Sequence, residues 1–167
     1  MQHGTCLSRE INPEQPLSPV GREQVEKSGL ALRKMGLGVD TILCSPKLRS
    51  RQTAEIVAAA LGRPAHSITV TDAVKALTPA SETLEYLRQF PPRSRVFVVG
   101  HMPSLGEVAS VLLAGGTRLA LQIENGGLTR VDLTDFERPS GTLVWHLTPQ
   151  LLGLYGGHAT ACTGHYP

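Results

Sequence analysis

The sequence predicts an α/β sandwich of three layers, a mostly parallel central sheet flanked by helices. Short apolar runs alternate with longer amphipathic segments through most of the chain, the pattern of βα units. Two of those runs, DTILCS (40–45) and RVFVVGH (95–101), are apolar on successive residues, as buried strands are. Each run is followed closely by a proline and then by a helical pattern.

Met1 and Gln2 read as the stub of a strand that ends at His3-Gly4, so the first strand is expected to be truncated. Residues 5–17, TCLSREINPEQPL, are polar and proline-bearing and read as a loop. Ser18-Pro19 then has the form of an N-cap with proline at the first helical position. The helix carries Val25, Leu30, Leu32 and Met35 as its apolar residues and stops at Gly36. DTILCS is a buried strand ending at Ser45. PKLRSRQTAEIVAAALG is a second helix, with Leu48, Ile56, Val57 and Leu61 toward the core and Gly62 as its stop.

SITVTDAV (67–74) is β-branched and reads as an edge strand. SETLEYLRQF (81–90) has helical spacing with Ser81 as its cap. RVFVVGH is the clearest buried strand, and PSLGEVASVLLAG (103–115) is again proline, helix and glycine stop. LALQIEN (119–125), GGLTRVDLT (126–134) and GTLVWHLTP (141–149) read as three late strands. Their turns fall at Asn125-Gly126-Gly127 and Arg138-Pro139-Ser140-Gly141. The chain is expected to form one domain over 1–152, with a flexible tail over 153–167.

Composition narrows the function. The chain is 41% apolar and 18% charged, as globular domains are. Its net charge is +2 and no Lys/Arg run stands out, which argues against nucleic-acid or membrane-surface binding. No apolar stretch approaches the roughly 20 residues of a membrane span, and no secretory leader is legible. Cys6, Cys44 and Cys162 are widely spaced and odd in number. They read as free thiols in a reducing cytoplasm, not as a disulfide framework or a metal site.

In parallel sheets, ligands bind outside the carboxyl ends of the strands. Ser45, leading to Arg49, ends one strand; Gly100-His101 ends another; His3-Gly4 ends the stub. Two histidines and an arginine would then face one crevice. Imidazole is a nucleophile at neutral pH, and guanidinium matches phosphate with a rigid fork. A second imidazole can stabilise the charge that spreads over a phosphoryl group in flight. This is phosphoryl-transfer chemistry that calls for no metal or cofactor.

Four segments carry a resemblance: QHG (2–4), LSPVGREQ (17–24), CSPKLRSRQTAEI (44–56) and VVGHMPSLGEVA (98–109). In order and spacing they resemble the histidine phosphatase superfamily, also called phosphoglycerate mutase-like. The short length and the phrase LTP (77–79) look most like its SixA-type phosphohistidine phosphatase branch. The resemblance spans roughly 1–150. It implies that His3 is the nucleophile that becomes phosphorylated. It makes Arg49 and His101 the catalytic phosphate-contacting pair, with Gln2 and Gly4 also at the phosphate. Gly4 would let the backbone pass close to the phosphate. The family usually has arginine where this chain has Gln2, and a glutamine brings hydrogen bonds without charge.

The resemblance implies hydrolysis of a phosphoryl group carried by a phosphorylated protein, such as a phosphohistidine domain. A small phosphorylated substrate and a weakened member that only binds phospho-ligands stand as alternatives. Glu82 is the nearest candidate for a general acid, though a solvated helix start explains it better. Ser45-Pro46 reads as a structural turn with a hydroxyl on the phosphate side. Lys47, Arg51, His66 and His146 read as structural or surface residues and Cys6 as a bystander thiol. His158, Cys162 and His165 could form a soft metal trap, but a tail explains them better.

Overall fold

The structure, a computed structural model, describes residues 1–136 and 141–156. Helix α1 spans Pro19–Lys34, and Ser18 caps it as its sequence predicts. The extended Ser18 accepts the Gly21 N–H on its hydroxyl at 3.0 Å, satisfying a donor that the first turn leaves free. Gly36 closes the far end with φ +66°, donating its N–H to the Arg33 carbonyl. The buried stripe of α1 is Gly21, Val25, Ser28, Gly29, Ala31 and Leu32. Leu30 and Met35 lie off that stripe and are exposed, so their expected place in the core is corrected.

Strands β1 (Thr41–Cys44), β2 (Ile68–Val70) and β3 (Val96–Val99) form a parallel sheet in the order β2-β1-β3. Helix α2 (Leu48–Ala60) crosses between β1 and β2. Its buried residues are Ser50, Thr53, Ala54, Val57 and Ala58. Small side chains let α2 lie close to α1 and the sheet, and Leu48, Ile56 and Leu61 are only partly covered. Helix α3 (Ala80–Leu87) starts one residue before its predicted cap. Pro79 holds the extended cap position, its carbonyl accepts the Glu82 and Thr83 N–H groups, and Ser81 sits inside the first turn. Helix α4 (Ser104–Ala114) follows β3 and ends on left-handed Gly115.

Two hydrophobic clusters cover the sheet regions. Val25, Leu32, Ile42, Cys44, Val57, Phe97, Val99 and Leu152 belong to the larger one. Ala80, Val108 and Leu112 form the smaller, with Val131 and Leu133 packed on it. Strands β4 (Leu128–Leu133) and β5 (Gly141–Leu147) pair antiparallel. The predicted turn at 138–141 lies, up to Ser140, outside the described residues.

Met1–His3 sit where the stub strand is expected. Gln2 pairs in parallel with Gly100 on one flank and with Asn125 on the other, so the stub lies between the segment that follows β3 and the one that precedes β4. Met1 is buried in the larger cluster, and its amino group donates to the Val98 carbonyl at 2.8 Å. The predicted strand over 119–125 does not form. Within it, only Asn125 makes a β-bridge, with Gln2, and the Leu119 N–H is taken by the Ser110 hydroxyl. The tail boundary also moves. Helix α5 (Pro149–Gly156) continues past residue 152 because Leu152 and Gly156 are buried against α1. A Cβ on Gly156 would collide with the Lys27 carbonyl oxygen. The rest of the expected tail, with His158, Cys162 and His165, lies outside the described residues.

Candidate active site

Three chain segments converge at the carboxyl ends of the stub, β1 and β3. His3 ends the stub, Ser45 follows β1 and His101 follows β3. The two imidazoles lie edge to face with centroids 4.9 Å apart. His3 is 7% exposed and His101 3%. Arg49, on the first turn of α2, donates from Nε to His3 Nε2 at 3.1 Å. The structure thus brings His3, Arg49 and His101 together, as the strand-end rule expects.

Hydrogen bonding selects the tautomer of His3. The Gly4 carbonyl, which only accepts, lies 2.7 Å from Nδ1, so the ring proton is on Nδ1. Nε2 is left with its lone pair, pointed at the guanidinium. His101 Nε2 lies 2.6 Å from the fully buried Ser45 hydroxyl, so the serine is more than a turn residue. Ser45 is itself fixed: its N–H reaches the Ser50 hydroxyl and the Val99 carbonyl.

Packing gives Gly4 a reason of its own. A Cβ there would lie 2.6 Å from Val25 Cγ2 and 2.8 Å from the Gly21 carbonyl oxygen. Gly4 therefore lets α1 approach the nucleophile strand, and its own N–H is held by the Thr53 hydroxyl at 3.1 Å. Gln2 lines a neighbouring cavity. Two contributors were not legible. Gln15, carried in by the 5–17 loop at a positive φ, accepts from Arg49 Nη1 at 3.3 Å. Asn125, read as a turn residue, donates to the His3 carbonyl at 2.9 Å. Neither sits in a periodic pattern, so only the fold places it.

Burial dominates the electrostatics. It lowers the His3 pKa to about 4; the nearby Arg49 charge adds to this, and the Gly4 hydrogen bond opposes it. Burial likewise lowers His101 to about 3, helped by the charges of His3, Arg49 and Lys47. Both rings are therefore neutral at pH 7. Among the described residues, no carboxylate bonds to Arg49 or to either histidine. Glu82 is exposed on the first turn of α3. Among the described residues no three His, Cys, Asp or Glu side chains cluster as metal ligands. Cys6 and Cys44 are free thiols, and burial pushes Cys44 up to about 11. His146 bonds to the Thr129 hydroxyl on the strand face, at 2.7 Å.

These histidines make stability sensitive to acid. Their folded pKa values lie below the ordinary 6.5, so between pH 6.5 and about 4 for His3, or about 3 for His101, the unfolded chain holds protons the folded one lacks. The share of the two rings is full above pH 6.5 and falls as pH drops through that window, by at most about 1.4 kcal/mol per pH unit for each ring. The buried Met1 amino group, lowered by desolvation from 8.0 to about 5, adds a decline of the same sign that begins near pH 8. Thermal unfolding between pH 7 and 5 is expected to show the decline, and the difference from His101→Gln isolates that ring's share. The slope should be shallower in His101→Gln, and a flat wild-type profile would contradict it.

Known proteins resemble this chain in sequence and in fold. Residues 5–75 match the family model of the histidine phosphatase superfamily (branch 1). An uncharacterized protein of Picosynechococcus is 31% identical over 135 residues, which cover 76% of this chain and 79% of that one. The structure of the protein histidine phosphatase SixA complexed with tungstate superposes with a TM-score of 0.79 at 24% identity, covering 90% of this chain and 95% of that one. A putative alpha-ribazole-5'-P phosphatase from Escherichia coli superposes with a TM-score of 0.72 at 15% identity, covering 90% and 96%. With its four motifs, its two facing histidines and these matches, the chain belongs to the histidine phosphatase superfamily.

Proposed function

We propose that this phosphatase hydrolyses protein phosphohistidine through a phosphoryl intermediate on its own His3. The observation that carries the reading is the state of His3: a neutral ring with its proton locked on Nδ1 and its Nε2 lone pair aimed into a cationic pocket. In the first step Nε2 attacks phosphorus and the bond from phosphorus to the substrate's imidazole breaks. The substrate ring's other nitrogen takes a proton from solvent, the electron pair of the P–N bond goes to the departing nitrogen, and the ring leaves as neutral imidazole. Water then attacks the phosphoryl group on His3, releasing phosphate and restoring the ring. Arg49 and His101 meet the charge on the phosphoryl oxygens, with no metal or cofactor in the scheme. The free thiols Cys6 and Cys44 suit a reducing compartment, which supports a cytoplasmic setting.

Leaving-group chemistry supports this substrate class. A serine or sugar alkoxide is strongly basic and needs a positioned acid. The carboxylate candidate, Glu82, is exposed and makes no bond to the histidine pair. The test is phosphate release from matched phosphohistidine and phosphoserine peptides, in excess chelator. The phosphohistidine kcat/KM is expected to be higher by about a hundredfold, or about 2.7 kcal/mol of barrier. Glu82→Gln is expected to leave it nearly unchanged. Equal rates would favour a small-molecule phosphomonoesterase, the activity in the name of the Escherichia coli neighbour. Tight phosphate binding with no turnover of either peptide would favour a binding-only member.

A further inference from the structure

The two imidazoles of the site are the same chemical group, and the hydrogen bonds around them differ. On His3 the Gly4 carbonyl holds the Nδ1 proton and leaves Nε2 its lone pair. On His101 the nitrogen with a protein partner is Nε2, 2.6 Å from the Ser45 hydroxyl. Among the described residues no group bonds His101 Nδ1.

The direction of the Ser45 bond follows from a count of donors and acceptors. Ser45 is fully buried, so bulk solvent offers its hydroxyl no partner. Its oxygen accepts the Lys47 N–H at 3.4 Å. Among the described residues, the acceptor left for the hydroxyl hydrogen is His101 Nε2. A proton on Nε2 would leave that buried hydrogen unpaired, which protein interiors avoid. The serine backbone is also held against β3. Its N–H reaches the Val99 carbonyl and the Ser50 hydroxyl, each at 3.3 Å. The Ser50 hydroxyl donates in turn to the Val99 carbonyl at 2.9 Å.

We infer that Ser45 is a positioning residue that sets the tautomer of His101: its O–H donates to Nε2, which places the ring's one proton on Nδ1, free to bond a phosphoryl oxygen. The inference rests on the reaction proposed above, in which His101 meets the charge on those oxygens. In that step His101 gives a hydrogen bond and transfers no proton, so the ring is neutral before and after. Both rings then carry their proton on Nδ1, with opposite results. A carbonyl binds that proton on His3 and leaves a nucleophile. A hydroxyl binds the lone pair on His101 and leaves a donor. Ser45 acts through the ring, because its burial keeps it from the phosphoryl group itself.

Nitrogen NMR of protein with labelled histidines reads the tautomers directly, without substrate. At pH 7 both rings are neutral, so each shows where its single proton sits. The His101 signals are identified by their loss in His101→Gln. Wild-type His101 is expected to show a protonated Nδ1 and an unprotonated Nε2. In Ser45→Ala, a substantial share of molecules should carry the proton on Nε2 instead. On the phosphohistidine peptide, kcat is expected to fall at least about tenfold in Ser45→Ala, with KM changed by less than about twofold. Ser45→Cys fills nearly the same space with a weaker donor and should show both changes in smaller degree. A packing defect alone would not move a ring proton. A protonated Nε2 in the wild type would overturn the role of Ser45, and this spectrum needs no variant of Ser45 to fold. An unchanged tautomer or an unchanged kcat in Ser45→Ala would overturn it too. Absence of phosphate release by the wild type would instead sink the phosphohistidine reading, and the spectra alone then decide whether Ser45 sets the tautomer.

Discussion

His3→Ala is expected to lower kcat/KM at least a thousandfold, or about 4 kcal/mol of transition-state stabilisation. It is also expected to leave no acid-labile phosphoryl group on the protein after rapid quench with a phosphoryl donor. The size follows from the geometry. His3 Nε2 is the one ring nitrogen of the pair turned toward the guanidinium, whereas His101 Nε2 is held by Ser45 at 2.6 Å. His101 therefore has no free lone pair at that atom with which to substitute. The change also removes the Nδ1 bond to Gly4, so circular dichroism should accompany the assay. The strand's place does not depend on that bond, because the His3 N–H donates to the Gly100 carbonyl and Asn125 holds the His3 carbonyl. Undiminished labelling of His3→Ala would place the nucleophile elsewhere.

Arg49→Ala is expected to lower kcat/KM a few hundredfold, about 3–4 kcal/mol, the cost of removing a preorganised charged donor from a developing oxyanion. Arg49 is the arginine that touches the nucleophile, since Gln2 brings no charge and Arg51 lines a separate cavity beside Cys44. The loss should fall mainly on kcat, because the phosphoryl charge spreads most in the transition state. Arg49→Lys should recover only part of the rate, since an ammonium cannot reproduce the fork. Gln2→Arg is expected to tighten inorganic phosphate binding. Unchanged kinetics in Arg49→Ala would show that the phosphoryl group binds outside the His3–His101 pair.

Local sequence carried the elements whose causes are local. Ser18-Pro19 forms a cap within four residues, Gly36 and Gly115 adopt left-handed stops, and the runs at 41–44 and 96–99 pair as buried parallel strands. From those runs and the Met1-Gln2 stub the strand ends followed, and with them the convergence of His3, Arg49 and His101. The resemblance to a family added roles to these residues but no geometry. What the sequence could not carry depends on partners distant along the chain. The 119–125 segment has strand composition, yet it pairs only at Asn125, and its Leu119 N–H goes to the Ser110 hydroxyl instead of a strand partner. Leu30 and Met35 have apolar character, yet the stripe that meets α2 and α5 passes through glycine, serine and alanine instead. Residues 153–156 look like a tail, yet burial of Leu152 and Gly156 against α1 extends the helix through them. In the site, the sequence determined which chemical groups were present. The tertiary structure decided their protonation and aim, through a carbonyl one residue away, a serine 56 residues from His101 and an asparagine 122 residues from His3. Hydrogen bonds and burial act through space, and no local pattern of residues encodes them.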